Sequence, residues 1–286
     1  YMFSDKQKQQ IGNNSYAIQA GNNVNVSGMS FSEVRELFNI LFENQFPKLK
    51  DVAYAAAQEN AKDFEERVVS DLTKNVDRLI IDKFCDPDVQ ATLTEALKSS
   101  ARKGKKANMD VLSQLLVERV SNNNDDFRDI VLTEAVTVVP KLTQQQISLI
   151  TIVFLLKNVE IKDPVNGVRL DLLERNFRNL EPMYTNGFNL SQAQIYHIQY
   201  AGACSWNTFL GIDVEDYFMD KYPTDIKDKS AYISNLKLVA PHVSAFLEKF
   251  SKSNYQGIEL TSVGQAIALA VISRYVERLD YNIWLK

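Results

Sequence analysis

His197 and His242 are the only histidines in this chain of 286 residues, which makes them the first candidates for metal binding or proton transfer. They lie far apart in sequence, and neither belongs to an HExxH motif or to another spacing typical of metal ligands. A catalytic or metal-binding site needs several groups that converge on one point. The sequence therefore favours structural or surface roles for both histidines.

Cys204 would be a nucleophile if His197, seven residues earlier, accepted its proton. The stretch from Ser191 to Trp206 is predicted to be one helix, in which seven residues span about 10 Å. That separation is too long for proton transfer, so we expect a core cysteine. Cys85 is the only other cysteine, and the pair lacks CxxC spacing. This usage is typical of a reducing compartment, where neither cysteine need be paired. A single disulfide between them is the alternative.

The remaining residues that could take part in catalysis form an acidic cluster. The cluster consists of Asp213, Glu215, Asp216 and Asp220. Asp216 and Asp220 would share a helical face and could hold a cation, although plain surface charge is the simpler interpretation. No P-loop, GxGxxG or GxSxG motif occurs. The sequence thus predicts no catalytic residue, cofactor site or metal site.

Five cations lie close together in a predicted linker at 98–106, namely Lys98, Arg102, Lys103, Lys105 and Lys106. Such a patch could hold phosphates, and an oligomer would strengthen binding by avidity. No aromatic residue interleaves it for base stacking, so a solvated loop is the simpler interpretation. Nucleic-acid binding through these residues stays open as an alternative function.

The most regular stretch is a repeat of two nine-residue units, 11–19 and 20–28, each with Gly-Asn-Asn at its second to fourth positions. A short period with Gly and Asn at the corners is typical of β-helix coils. Two coils cannot bury their own apolar side chains, because stacked repeats need roughly three units. We therefore predict that the repeat forms between subunits, with a trimer favoured. Its shared core would contain Ile11, Tyr16, Ile18, Val24 and Val26.

Composition restricts the class of protein. Hydrophobic residues make up 45% of the chain and the net charge is −4, so there is no global basic field that would attract nucleic acid. The longest apolar run, Ile147 to Leu156, is much shorter than the roughly 20 residues of a membrane-spanning helix. It is better interpreted as a buried core helix. Residues 1–10 are polar and lack the apolar core of a signal peptide, so we expect a disordered tail and a cytoplasmic protein without membrane contact.

Apolar periodicity and capping signals predict an all-α body of roughly nine to eleven helices. One helix should start at the capping box Ser30 and Glu33, and Pro47 should lie in the first turn of the next. A short extended run is predicted at Gly257 to Thr261. The later helices are predicted at about 47–81, 87–103, 109–120, 127–139, 147–157, 171–180, 191–206, 214–222, 232–250 with a break at Pro241, and 262–279.

The turn signal from Lys162 to Gly167 marks the best domain boundary. We thus predict a mainly α fold, with helical lobes at 29–163 and 164–286 and the short N-terminal β-repeat at 11–28.

Several segments together resemble an uncharacterised bacterial protein family. These are IQAGxxVxV at Ile18 to Val26, Gly28-Met29-Ser30, Pro140-Lys141-Leu142-Thr143, and the LTxxG element Leu260 to Gly264. The resemblance spans nearly the whole chain and implies no catalytic residue. The Gly-Asn repeat is also similar to repeats fused to bacterial conflict and phage-defence proteins.

These features predict a homo-oligomeric assembly or interaction protein, a non-enzymatic component of a bacterial defence or prophage-linked system. Its partners would be its own copies and, as a further partner, another protein. One alternative is nucleic-acid binding. The other is an enzyme, which would need a concave pocket that gathers His197, Tyr200 and carboxylates.

Overall fold

The computed structural model describes residues 31–121, 125–163, 165, 167–209, 211–276 and 279–285, with the backbone alone for 31–49. The predicted tail and the repeat at 11–28, with its five core residues, lie outside this part. The chain divides into two units, Tyr1–Tyr54 and Ala55–Lys286. In the first unit the structure describes only the beginning of helix α1.

The prediction of a mainly α-helical fold is confirmed, because the described residues form eleven α-helices and one small two-stranded sheet. The elements are α1 Phe31–Lys74, α2 Pro87–Lys103, α3 Met109–Val120, α4 Asp126–Val138, α5 Gln144–Lys157, α6 Leu170–Tyr184, α7 Gln192–Tyr200, β1 Cys204–Trp206, α8 Val214–Lys221, α9 Lys229–Val239, α10 Pro241–Ser251, β2 Ile258–Leu260 and α11 Ser262–Ile272.

Helix α1 corrects the prediction of two helices that meet at Pro47. It is one continuous helix of 44 residues, and Pro47 lies within it. Proline removes one backbone N–H, which is a small part of the hydrogen bonds that so long a helix makes. The helix ends at Lys74, earlier than predicted, and the 3-10 turn Val76–Arg78 follows.

Helix α5 is buried along its whole length from Gln146 to Leu156, which confirms its prediction as the central core helix. A capping box starts it: Gln146 N donates to Thr143 Oγ1, and Thr143 N donates to Gln146 Oε1. Helices α6, α7 and α11 and strand β2 pack against it. A helix that is apolar all round must be covered on every side.

Three other helix boundaries lie at or within one residue of the predicted positions. Asp86 caps α2 and Asp125 caps α4 through their side chains. Pro241 separates α9 from α10, because its ring cannot continue a helix from the preceding turn.

The predicted helix at 191–206 is wrong in its second half. Helix α7 ends at Tyr200, and Gly202 takes a left-handed conformation with φ +86°. Cys204 to Trp206 then form β1, which pairs antiparallel with β2 so that Ser205 faces Glu259. A left-handed glycine is a common helix stop, because it carries no Cβ to clash. The last helix is also shorter than predicted and ends at Ile272.

The predicted turn at 162–167 closes on itself, since Asp163 and Gly167 exchange both backbone hydrogen bonds. Buried residues on both sides of this turn belong to one hydrophobic cluster, which extends from Phe64 to Leu285. Helix α11 packs against α3, α4 and α5 within that cluster.

The LTxxG element has a specific structural role. Thr261 caps α11 by accepting from Gly264 N, and its hydroxyl donates to Gly202 O at 2.6 Å. A Cβ built on Gly264 would lie 2.0 Å from Ala203 O. Helix α11 can therefore approach the backbone before β1 only because residue 264 is glycine.

We expect Gly264→Ala to lower the free energy of unfolding by about 3 kcal/mol, because α11 must move away from the Ala203 carbonyl. Denaturant titration monitored by circular dichroism measures the loss. Gly211→Ala is the matched control, since nothing lies within 4 Å of a Cβ at that position. Equal stabilities of the two variants would contradict the role assigned to Gly264.

Candidate functional site

A cleft of about 920 Å³ lies between the second half of α1, helix α3 and the segment that follows α11. Its lining is strongly polar and carries charges of both signs. The charged lining residues are Asp63, Glu66, Arg67, Asp71, Lys74, Asp77, Arg78, Asp110, Glu118 and Arg274. The cleft is thus the most highly charged concave surface among the cavities described here.

Asp110 of α3 connects α1 with the segment after α11 at one edge of this cleft. It pairs with Arg67 of α1 and, at 2.9 Å, with Arg274 just after α11. Arg67 Nε also lies 3.1 Å from Asp63 Oδ1, one helical turn earlier. Burial alone would lower the pKa of Arg67, but Asp63 and Asp110 outweigh burial and raise it. The Arg67 guanidinium therefore stays charged and fixed between the two carboxylates.

A second, smaller pocket of about 250 Å³ also includes Arg67, Asp110 and Arg274 in its lining. The same three side chains therefore line both cavities. Apart from them, the pocket is lined by Lys105, Asn108, Met109, Val111, Gln144, Pro182, Met183, Val271 and Tyr275.

Glu118 forms a buried ion cluster at the base of the large cleft. Its carboxylate accepts hydrogen bonds from Arg78, at 2.8 Å, and from Arg128. Burial raises the pKa of Glu118, although both arginines act to lower it. Desolvation therefore outweighs attraction, and the carboxylate depends on its two cations to stay ionised.

Arg128 is fully buried on α4, and it was not among the sequence-predicted residues. Its Nη1 donates to Asn282 Oδ1 at 2.5 Å, and its guanidinium carbon lies 5.8 Å from the centre of the Tyr281 ring. It thereby ties the C-terminal turn to α4. Its burial could have been inferred from helical spacing. Arg128 precedes the buried Val131 and Leu132 by three and four residues, which places all three on one helix face.

The two histidines have separate polar partners. His197 Nδ1 lies 3.0 Å from Gln146 Nε2. His242 contacts Glu174 through both its backbone N–H and its ring, and its Nε2 lies 3.8 Å from Glu181. Neither histidine lines the large cleft or the smaller pocket.

Cys204 is buried in β1 and does not share a helix with His197, which corrects the helical distance assumed for that pair. Burial raises the pKa of the Cys204 thiol to about 12, so it remains protonated at neutral pH. Cys85 is exposed, and both cysteines are free thiols.

The acidic cluster at the start of α8 surrounds a lysine. Lys229 Nζ lies 2.7 Å from Asp213 and 3.0 Å from Asp216, and Asp213 also caps α8. Among the residues that the structure describes, no group of three or more His, Cys, Asp or Glu side chains could hold a metal ion.

The basic stretch at 98–106 is helical, which corrects its interpretation as a loop. Lys98, Arg102 and Lys103 lie in the last turns of α2, and a 3-10 turn at Gly104–Ala107 carries the other two lysines. All five cations are exposed, and Lys103 donates to the Pro140 carbonyl.

A protein-family model matches residues 28–231 and 224–285, which together cover most of the chain. The chain belongs to that family. The function of the family is unknown, and the matched ranges begin at the last residue of the Gly-Asn repeat. No curated protein and no solved structure matches the chain. None of the helices in the described part combines the length and the apolar character needed to cross a bilayer.

We expect Glu118→Gln to lower the free energy of unfolding by about 3 kcal/mol, because it removes the carboxylate that pairs with the fully buried Arg128 and the half-buried Arg78. Thermal and denaturant unfolding measure the effect. Glu66→Gln, at an exposed position in the same cleft, should change stability by less than about 0.5 kcal/mol. A Glu118 variant as stable as the Glu66 variant would show that the cluster does not stabilise the fold.

Proposed function

We propose that this protein is a homo-oligomeric assembly or interaction protein that works without catalysis of its own. The observation that carries the proposal is the exposure of α1 between residues 50 and 59, where no described side chain is buried. Val52 is 68% exposed there, and three alanines at 53, 55 and 56 are exposed as well. Exposed apolar residues on a long helix are typical of a surface that another chain covers.

The sequence pattern extends this apolar stripe towards the start of the helix. Because α1 is continuous through Pro47, positions on both sides of the proline share one helical frame. At about 100° per residue, positions 34, 41, 52 and 56 fall within an arc of about 60°. Val34, Leu41, Val52 and Ala56 occupy these positions. In the sequence, this apolar spacing runs from Val34 to Ala56, with the polar Gln45 between Leu41 and Val52.

The occupant that we assign to this stripe is the same helix of sister subunits. The adjoining repeat at 11–28 also needs copies of itself, since two short coils cannot enclose a core. Two neighbouring segments with the same requirement favour a parallel oligomer, and a triangular β-helix favours a trimer. The proposed context, bacterial defence or a prophage-linked system, rests on the resemblance of the repeat to repeats of such proteins.

We expect the full chain to have the molar mass of a trimer in solution. A chain that starts at Met29 should contain fewer subunits per particle. Sedimentation equilibrium measures both. Ile18→Asp and Val26→Asp should weaken association, because each would place an unpaired charge in the shared core.

Val52→Asp tests the helical stripe separately, with the exposed Gln58→Asp, about 120° around α1 from Val52, as its matched control. We expect association to weaken with the first substitution and to stay unchanged with the second. A full chain that is monomeric at micromolar concentration would refute the proposal. An unchanged number of subunits after removal of residues 1–28 would refute the role of the repeat.

Nucleic-acid binding remains a second candidate, because five exposed cations lie on the end of α2 and the turn that follows. Lys98 and Arg102 are one turn apart on the same helix face, where both could contact a phosphate backbone.

If this candidate is correct, Lys98→Gln with Arg102→Gln should weaken retention of a labelled duplex at 50 mM salt by about tenfold. A gel-shift titration measures it. Lys62→Gln with Lys252→Gln, two exposed lysines elsewhere, keeps the charge change constant as a control. No shift by the unaltered protein at 50 mM salt would eliminate this candidate.

A further inference from the structure

The smaller pocket of about 250 Å³ has a surplus of positive charge. Arg67, Lys105 and Arg274 line it, against one carboxylate, Asp110. Asp110 is shared by both arginines, and Asp63 adds a second contact to Arg67 alone. Lys105 forms no ion pair with any residue that the structure describes. Even with Asp63 included, three cations face two carboxylates.

The same pocket also has an apolar part. Met109, Val111, Met183 and Val271 contribute to its lining, and all four are at least 95% buried. Together they place an apolar surface from α3, α6 and α11 beside the cationic groups. A pocket with this lining matches a ligand that has one charged end and one apolar end.

The start of α3 also lies at this pocket. Asn108, with a left-handed φ of 58°, precedes the helix but does not cap it with its side chain. Its Nδ2 donates to Val139 O and Leu142 O, at 3.3 and 3.0 Å. Asn108 therefore places no side-chain acceptor at this end of the helix, and the acidic residue of the first turn is Asp110, the carboxylate already counted in the pocket.

We propose that this pocket binds a small organic anion, a carboxylate or a phosphate monoester that carries a short apolar group. The anionic end contacts Lys105 and Arg274, and the apolar end lies against the two methionines. The volume of about 250 Å³ is small for a ligand pocket, which favours a ligand with one small ring and its acid. Nothing in this proposal depends on the oligomeric state.

Benzoate and phenyl phosphate test the proposal on the full chain by isothermal titration calorimetry, with benzyl alcohol as the neutral probe and inorganic phosphate as the probe without an apolar part. We expect one of the two organic anions to bind at least tenfold more tightly than either control. The benzoate and phenyl phosphate arms decide between a carboxylate and a phosphate.

Lys105→Gln and Arg274→Gln should each weaken that binding by about tenfold, as expected for the loss of one charged hydrogen bond. Lys106→Gln is the matched control, because Lys106 is exposed and lies next to Lys105 but does not line the pocket. Lys105 is exposed and forms no ion pair among the described residues, so its variant should keep the stability of the parent protein. Equal binding of benzyl alcohol and the anions, or unchanged affinity in the Lys105 and Arg274 variants, would overturn the proposal.

Discussion

The burial of α5 is the constraint on which the rest of the structure depends. From Gln146 to Leu156 this helix has no face for water, and each large apolar side chain gains about 1.5–3 kcal/mol from burial. Its cover comes from segments far apart in sequence, including α6, α7, β2 and α11. Once α11 lies against α5, its other sides meet α3 and α4. The walls of the charged cleft and of the smaller pocket are consequences of that packing.

The buried charged side chains include Glu118 and Arg128, which pair with each other, and Arg119, which pairs with Asp88 and Asp129. Burial of the cluster costs desolvation, and the raised pKa of Glu118 shows that the cost is felt at the carboxylate. What the cluster provides is connection: Arg78, Glu118 and Arg128 join the segment after α1 to α3 and α4, and Asn282 adds the C-terminal turn. Apolar side chains would fill the same space but would not specify which elements meet there.

Helix α1 takes part in two different environments along its length. Its later residues, including Phe64 and Arg67, contribute to the core and to the cavities. Residues 50–59 expose an apolar stripe that this chain leaves open to solvent. The proposed assembly and the proposed anion pocket therefore use separate residues, and each can be tested without altering the other.

The sequence by itself determined features whose causes are local. Helix α3, the caps Asp86, Asp125 and Thr143, and the break at Pro241 follow from signals within a few residues, because capping and proline geometry act over one turn. The core position of α5 followed from its all-round apolar composition. Tertiary structure decided the rest. Strand β1 exists because β2, distant in sequence, pairs with it, and Gly264 matters because Ala203 lies against it. The meeting of Arg67, Asp110 and Arg274 depends on how three helices pack, and no periodicity within one helix encodes that arrangement.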